Sequence, residues 1–177
     1  MNYKFCPKCA GKLEEKANHE GVIHPTCSKC GFVFYQNSKP TASPVILNDK
    51  DEVLLVKRAI EPHFGKWDLP GGFLENGEEL IVGLKREARE ELGVEIEPLG
   101  IISIFVDKYG YAKGDFFTFN VFVKSRLKSS KIKLDSENSD FGWFAKENVP
   151  WGDLAFANTT IALKTLYNLP GGREILG

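Results

Sequence analysis

Short apolar runs, each closed by turn residues, set the rhythm of this chain from about residue 44 onward. "PVILN" and "EVLLVKR" flank an Asn-Asp-Lys-Asp turn, and "LGIISIFVD" follows later; all three have strand length. "DFFTFNVFV", Asp115 to Val123, alternates aromatic and β-branched positions as a strand buried on one face does. "DFGWFAKENV" predicts another strand running into a turn. Two segments carry a helical period. The first runs from about Gly77 to Leu92, with Asn76 as its N-cap, Glu79 completing a capping-box-like start, and Gly93 as the C′ stop. At about 100° per residue, Ile81, Leu84, Ala88 and Leu92 share one arc, the expected core face. Leu80 falls outside it, near an acidic arc. The second helix covers roughly Thr159 to Asn168 and is stopped by "LPGG". Strands outnumber helices, and the main helix lies between strand groups, which predicts a mixed α/β sandwich. No internal repeat or low-complexity segment interrupts it.

Composition and charge narrow the function classes. A chain of 177 residues suits one ordinary domain with a small appendage. With 42% hydrophobic and 27% charged residues it is balanced for a soluble fold with a real core. A net charge of -1 gives no whole-molecule field that would recruit DNA, RNA or an acidic membrane. The start, "MNYKFCPKC", lacks an apolar signal-peptide core, and no run is long enough to span a bilayer, so a cytoplasmic protein is expected.

Four cysteines change the picture of the N-terminal segment. Cys6, Cys9, Cys27 and Cys30 form C-x2-C-x17-C-x2-C, and no cysteine occurs elsewhere. Two such knuckles suit a structural Zn2+ held by four thiolates. A redox pair or disulfides are the competing readings. A segment this short cannot bury enough apolar surface to fold alone, so the metal would supply the folding energy. Residues 1–36 are therefore expected as a zinc ribbon and 37–177 as a second domain, with "YQNSKPTASP" as the polar hinge between them. His19 and His24 are expected as loop residues. The basic run Lys124 to Lys133 is expected as a solvated hairpin.

The acidic helix is a puzzle of its own. Glu87, Glu90 and Glu91 stand at i, i+3 and i+4, where like charges cost about 0.2–0.5 kcal/mol per pair. A solvated acidic face is the plain explanation. Two features count against it. "PGG", Pro70 to Gly72, forms a tight loop with approachable backbone just before the helix, and Glu78 with Arg86 could pin that loop down. Carboxylates beside a free carbonyl match the oxygen ligands that Mg2+ or Mn2+ demands, with waters and a substrate phosphate completing the shell.

"GFLENGEELIVGLKREAREELGV", Gly72 to Val94, resembles the Nudix box, G-x5-E-x7-R-E-U-x-E-E-x-G-U, at every fixed position; Ala88 stands where a bulkier aliphatic is usual. "RAIEPHFGKWDLPGGFLE" resembles the lead-in to that box, and "ENSDFGWFAKENVP" a later strand of the family. A ribbon joined to such a domain is similar to the zinc-ribbon Nudix hydrolases of the NADH pyrophosphatase type. Their downstream S-Q-P-W-P-F-P-x-S motif is replaced here by "SIFVDKYGYAKGDFF", so NADH specificity is not carried over.

The resemblance implies a Nudix α/β/α sandwich that cleaves a nucleoside diphosphate linked to another group X. It implies that the Gly72 carbonyl, Glu87, Glu90 and Glu91 hold Mg2+ or Mn2+, and that Glu78 and Arg86 orient rather than react. The base would be Glu87 or a glutamate outside the box, for which Glu137 is the candidate, also as a metal ligand. Phe105, Tyr109 and Tyr111 are candidates for stacking on a base or ribose. A small nucleotide derivative is the expected partner; neither nucleic acid nor membrane is expected, and a homodimer is left open. The alternative is a nucleotide-sensing module whose ribbon contacts RNA or protein.

Overall fold

The computed structural model describes residues 3–109, 116–128 and 131–173. They fall into two compact units that part between Ser38 and Lys39.

The first unit is built on a hairpin. Strands β1 (Leu13–Ala17) and β2 (Ile23–Cys27) pair antiparallel, with Leu13 opposite Cys27 and Ala17 opposite Ile23. Asn18 closes the turn by accepting the Glu20 and Val22 N–H groups on its side-chain oxygen, both at 2.9 Å. His24, expected in a loop, lies in β2. Among its described residues only Cys6, Leu13 and Cys27 are buried apolar groups, with Cys9, Phe32 and Phe34 packed against them. So few apolar groups cannot offset the ordering of the segment by burial alone.

The second unit carries strands β3 (Lys39–Ile46), β4 (Val53–Arg58), β5 (Trp67–Asp68), β6 (Gly72–Phe73), β7 (Ile96–Tyr109), β8 (Phe116–Leu127) and β9 (Asn138–Phe144). Helix α1 spans Leu80–Leu92 and α2 spans Ala157–Leu166. One sheet has the order β6-β3-β8-β7, with β3 parallel to β8 and antiparallel to β6; the other is β5-β4-β9, antiparallel throughout. Strand alternation splits the apolar residues between two cores. Ala42, Ile46, Leu54, Val56, Val121 and Val123 pack with Leu84, Ala88 and Leu92 of α1. Their neighbours Val45, Leu47, Val53, Leu55 and Phe122 pack with Ala162 and Leu163 of α2. A mixed α/β sandwich with a helix over each core results, as the pattern predicts. No helix among the described residues is long and apolar enough to cross a membrane.

Three expectations are corrected. The segment Tyr35 to Pro44 is not all hinge, because β3 begins at Lys39 inside it. Its prolines are tolerated because Pro40 and Pro44 share parity, and the Pro40 carbonyl accepts the Leu74 N–H. The missing donors therefore face the short β6 rather than the long parallel ladder with β8. Helix α1 starts at Leu80 rather than Gly77, with no side-chain cap from Glu79. Gly77 takes a φ of +81°, which no helix continues, and the Glu78 carboxylate is engaged by Arg86. Finally, the basic run is not one exposed hairpin: Lys124 to Leu127 belong to β8, residues 129 and 130 lie outside the described residues, and the Lys133 N–H docks on the Leu92 carbonyl.

The rotation of α1 about its axis also differs from the wheel. Ile81 is 41% exposed, whereas Glu87 is 8% exposed and Leu80 packs on the first core. The buried arc is turned toward the acidic stripe. Gly93, at φ +64°, ends the helix as expected: its N–H reaches the Arg89 carbonyl, the 5→1 bond of an αL cap, and the Val94 N–H reaches the Ala88 carbonyl.

Candidate active site

The loop from β5 to α1 brings backbone against the acidic helix. Gly71 sits at φ +129°, where a Cβ would collide with the Ala42 carbonyl. At Gly72 a Cβ would come within 2.7 Å of Glu87 Oε1, so the absence of a side chain is what lets that carboxylate lie against the loop.

Arg86 organises the box. Its Nε and Nη2 donate to both oxygens of Glu78 at 2.8 Å, a bidentate pair. Nη2 also reaches the Phe73 carbonyl at 3.1 Å, which ties the loop to the helix. Nη1 bridges Glu87 Oε1 at 2.8 Å and Glu90 Oε2 at 2.9 Å. The guanidinium holds Glu78 at about 2, far below the usual carboxylate range. Glu87 shifts upward, because burial outweighs its bond from Arg86.

Glu91 has no such cation. Among the described residues its side chain accepts only the Gly71 N–H, at 3.3 Å. Burial first, then the carboxylates of Glu87, Asp68 and Asp135, push its pKa well up. The three box glutamates do not converge as a tight cage. Among the described residues, the group whose ligand atoms all lie within 4.8 Å of one another is Cys6, Cys9, Cys27 and Cys30 of the first unit. There the Lys8 and Lys29 N–H groups donate to Cys6 and Cys27 sulfur at 3.4 Å, one for each knuckle. A Cβ on Gly11 would press on the Cys27 sulfur at 2.9 Å.

A cleft of about 100 Å³ opens in the second unit beside Gly71 and Gly72. It is too small to enclose a whole nucleotide, so a ligand of that size would lie partly across the open surface. Its rings form a chain: Phe73 meets Tyr109 edge-on at 5.9 Å, Tyr109 stacks on Phe156 at 5.9 Å, and the Arg58 guanidinium lies 5.1 Å over Phe156. Its floor holds Asp68, whose carboxylate takes the Thr159 hydroxyl and the Leu69 N–H and sees Arg58 at 3.4 Å. Burial still dominates and raises the Asp68 pKa to about 6.

Of the residues singled out by sequence, the structure brings together Gly72, Glu78, Arg86, Glu87, Glu90 and Glu91. Tyr109 lines the cleft. Phe105 does not: strand alternation turns it into the second core, 7% exposed and stacked on Phe122 at 5.6 Å. Tyr111 lies outside the described residues. Glu137 is exposed ahead of β9, its N–H on Asp135 and its carbonyl taking the Ala59 N–H. Asp68, Asp135, Arg58 and Phe156 were not anticipated. Asp68 had a visible signal, a lone acid in "WDLPGG" between an apolar strand and the glycine loop. Asp135 and Phe156 had none.

A family model described as NUDIX domain matches residues 37–164. The 8-oxo-dGDP phosphatase NUDT18 of Mus musculus is 35% identical over 106 residues, covering 60% of this chain and 32% of that protein. The NAD-capped RNA hydrolase NudC of Pseudomonas aeruginosa is 35% identical over 150 residues, covering 83% of this chain and 49% of that protein. The chain thus spans half or less of the length of these curated relatives. A crystal structure of a NUDIX hydrolase from Nitrosomonas europaea superposes with a TM-score of 0.75 at 26% identity, over 97% of each chain.

Proposed function

The chain belongs to the NUDIX domain family, and from that premise we propose that it is a Mg2+- or Mn2+-dependent pyrophosphohydrolase. The observation that carries this reading is Glu91, a carboxylate set against Glu87, Asp68 and Asp135 with no cation among the described residues to balance it. A buried carboxylate in such a field needs a positive charge or a proton. Arg86 cannot supply the charge, since its nitrogens already serve Glu78, Glu87, Glu90 and the Phe73 carbonyl.

The Gly72 carbonyl, Glu87, Glu90 and Glu91 would hold the divalent ion, with Glu137 as a further candidate. Bound there, the ion would neutralise phosphoryl charge and lower the pKa of a bound water. Glu78 and Arg86 keep the loop and the helix in register. The rings at the cleft, Tyr109 included, offer a stacking surface for the base or ribose. Water attacks one phosphorus in line and loses its proton to a carboxylate of this set. The bridging P–O bond breaks, giving a nucleoside monophosphate and phospho-X. Relatives named for 8-oxo-dGDP and for NAD-capped RNA both fit cleavage next to a nucleoside phosphate.

We also propose a zinc ribbon over residues 1–36 ahead of a hydrolase domain over 37–177. Zn–S bonds of about 2.3 Å define a tetrahedron with edges of about 3.8 Å. The sulfur pairs Cys6–Cys30 and Cys9–Cys27 stand at 3.8 and 3.5 Å, a fit for that ion. The same proposal takes the protein to work in the cytoplasm on a small nucleotide diphosphate derivative. Incubation with Mg2+ or Mn2+ across ADP-ribose, NADH, FAD, nucleotide sugars, dinucleoside polyphosphates and (d)NTPs, with product identification, tests the activity. The expected products are a monophosphate and phospho-X, lost in Glu91→Gln. Tight nucleotide binding without metal-stimulated turnover would overturn the proposal in favour of a sensor.

A further inference from the structure

The basic run that follows Val123 has no part in the site described above. Lys124, Arg126, Lys128, Lys131 and Lys133 stand close together with no acid among them, in a chain whose net charge is -1. The fold adds cations from α1. The Lys128 N–H donates to the Glu95 carbonyl at 2.8 Å and the Lys133 N–H to the Leu92 carbonyl at 2.8 Å. Lys133 Cβ stands 3.3 Å from where a Cβ on Gly93 would lie. These contacts set the run against the end of α1, where Lys85 and Arg89 share a face at i and i+4. The acid in their midst, Glu95, takes a bidentate pair from Arg89. Arg89 first, then the fields of Lys85 and Lys128, hold it below the usual carboxylate range. Arg126, Lys128, Lys131 and Lys133 are exposed. Among the described residues neither they nor Lys85 have a carboxylate within ion-pair distance.

The same run walls a pocket. A cavity of about 310 Å³ lies between the end of β8 and the turn after β3, lined by Leu47, Asn48, Asp49, Arg126, Leu127 and Trp143. The indole of Trp143 and the two leucines give it apolar walls. Asn48 is spent on its own turn, accepting the Lys50 and Glu52 N–H groups and donating to the Glu52 carboxylate. The Arg126 guanidinium and the Asp49 carboxylate are what remain for a ligand. Asp49 would repel a bare phosphate. A nucleobase suits all three features: N–H donors for the carboxylate, acceptors for the guanidinium, and a π face for the indole. Leu127 ends one wall of the pocket, and the next residue, Lys128, begins the cationic patch.

This surface is remote from the acidic stripe, since Lys85 is turned about 200° around α1 from Glu87. A base pocket beside a band of unpaired cations suits a single strand, because a duplex keeps its bases stacked and paired. We propose that this face docks single-stranded nucleic acid with little regard for sequence. An unpaired base enters the Trp143 pocket, and the phosphates that follow lie on Arg126, Lys128, Lys131, Lys133 and Lys85. The net charge of the whole chain hides the patch, because its field is local at physiological salt. The proposal does not rest on the pyrophosphohydrolase reading.

The test is fluorescence anisotropy of a short 3′-labelled, 5′-hydroxyl oligonucleotide with the full, zinc-loaded chain. The strand is titrated alone and annealed to its complement, over a series of salt concentrations. The single strand is expected to bind more tightly than the duplex. Its affinity should fall with salt at a log–log slope of about −2 to −3.5, or about 0.7 per phosphate contacted. Lys128→Glu with Lys131→Glu should weaken binding by about tenfold or more and flatten the slope by about 1.4. These side chains hold no partner in the fold, so the melting temperature and any hydrolysis of small nucleotides should stay unchanged. Arg126→Ala should narrow the gap between single strand and duplex. No binding of the strand at low salt overturns the proposal, as does duplex bound equally or better. Unchanged affinity in the double variant would also overturn it, by placing the strand elsewhere on the chain. Displacement of the strand by polyglutamate as readily as by unlabelled oligonucleotide would overturn it in favour of an acidic protein partner. None of these outcomes bears on hydrolysis in the substrate panel, so the two readings fail separately.

Discussion

The two ligand clusters of this protein meet the same difficulty in opposite ways. The four cysteine sulfurs draw within 4.8 Å of one another, while the three box glutamates stay spread along α1 with Arg86 between two of them. In the cysteine cluster the crowding is met by a split: backbone N–H groups of Cys30 and Lys29 draw the Cys27 thiol down to about 6, while at Cys9, against the Gly11 N–H, neighbouring sulfurs push the thiol up to about 12. Carboxylates are ionised near neutral pH, and their repulsion has to be met by a cation, by separation or by a raised pKa. Glu78 and Glu90 take the cation and Glu91 takes the raised pKa. In the first unit the ligands make the core; in the second they sit on a fold whose two cores need no metal.

The sharpest way to break this comparison is to remove the metals. Chelation of zinc, or Cys9→Ser with Cys27→Ser, should unfold the first unit, since structural zinc sites are worth about 10–16 kcal/mol at neutral pH. Amide exchange should then be lost across residues 3–38 but kept in β3, β4 and β8. Protection retained in β1 and β2 without metal would show that the cysteines are not the core. Metal analysis of the purified protein should find one zinc per chain.

Glu91→Gln tests the other side. It should lower metal-dependent hydrolysis by at least about 10–100-fold, the scale on which disturbed metal sites lose activity. The same change removes a buried like charge, so the metal-free protein should melt higher and gain less from Mg2+ or Mn2+. A variant with an unchanged metal response would mean that Glu91 does not face the ion.

Arg86→Met should cost about 2–4 kcal/mol, somewhat less than a fully buried pair because the side chain is 22% exposed. It would be read in urea unfolding, and a double-mutant cycle with Glu78→Gln should show that most of the loss is shared. Additive losses would place the value of Arg86 elsewhere. The Glu78 shift predicts in addition that this stabilisation is present above about pH 4.5 and fades as pH falls toward about 2.

Asp68 gives the smallest and most specific effect. Its folded pKa of about 6 lies above the ordinary 3.8, so the native state binds the extra proton between those values. Stability should decline by at most about 2–3 kcal/mol as pH rises through that window. In Asp68→Asn that decline should be missing, as measured by denaturant midpoints from pH 4 to 7. An unchanged pH slope would show that Arg58 and Thr159 already neutralise the carboxylate.

Much of this was legible in the chain. The gaps from Gly72 to Val94 placed the acidic stripe, the arginine and the helix stop, because those positions are linked by the helical repeat and by the one residue able to end it at positive φ. The paired CxxC spacing placed the four sulfurs near one another for a similarly local reason. Burial was less legible. The wheel put Ile81 on the core and the glutamates beside it, but α1 is rolled so that Glu87 goes under and Ile81 faces water. That roll is set by contacts with β3, far from the helix in the chain, as well as with β7, which follows the helix directly. β3 could run through Pro40 and Pro44 only because the side with missing donors faces a two-residue neighbour.

Sequence by itself determined which ligands the protein owns and at what spacing, since short-range geometry follows from residue order. Only the tertiary structure decided how those ligands are charged and what stands opposite them. Asp68 and Asp135 bear on Glu91 from outside the helix, Phe105 is turned into the core, and Arg58 at the end of β4 meets Phe156 at the start of α2 in one cleft. Burial and long-range contact set those fields, and neither is a property of any local stretch of chain.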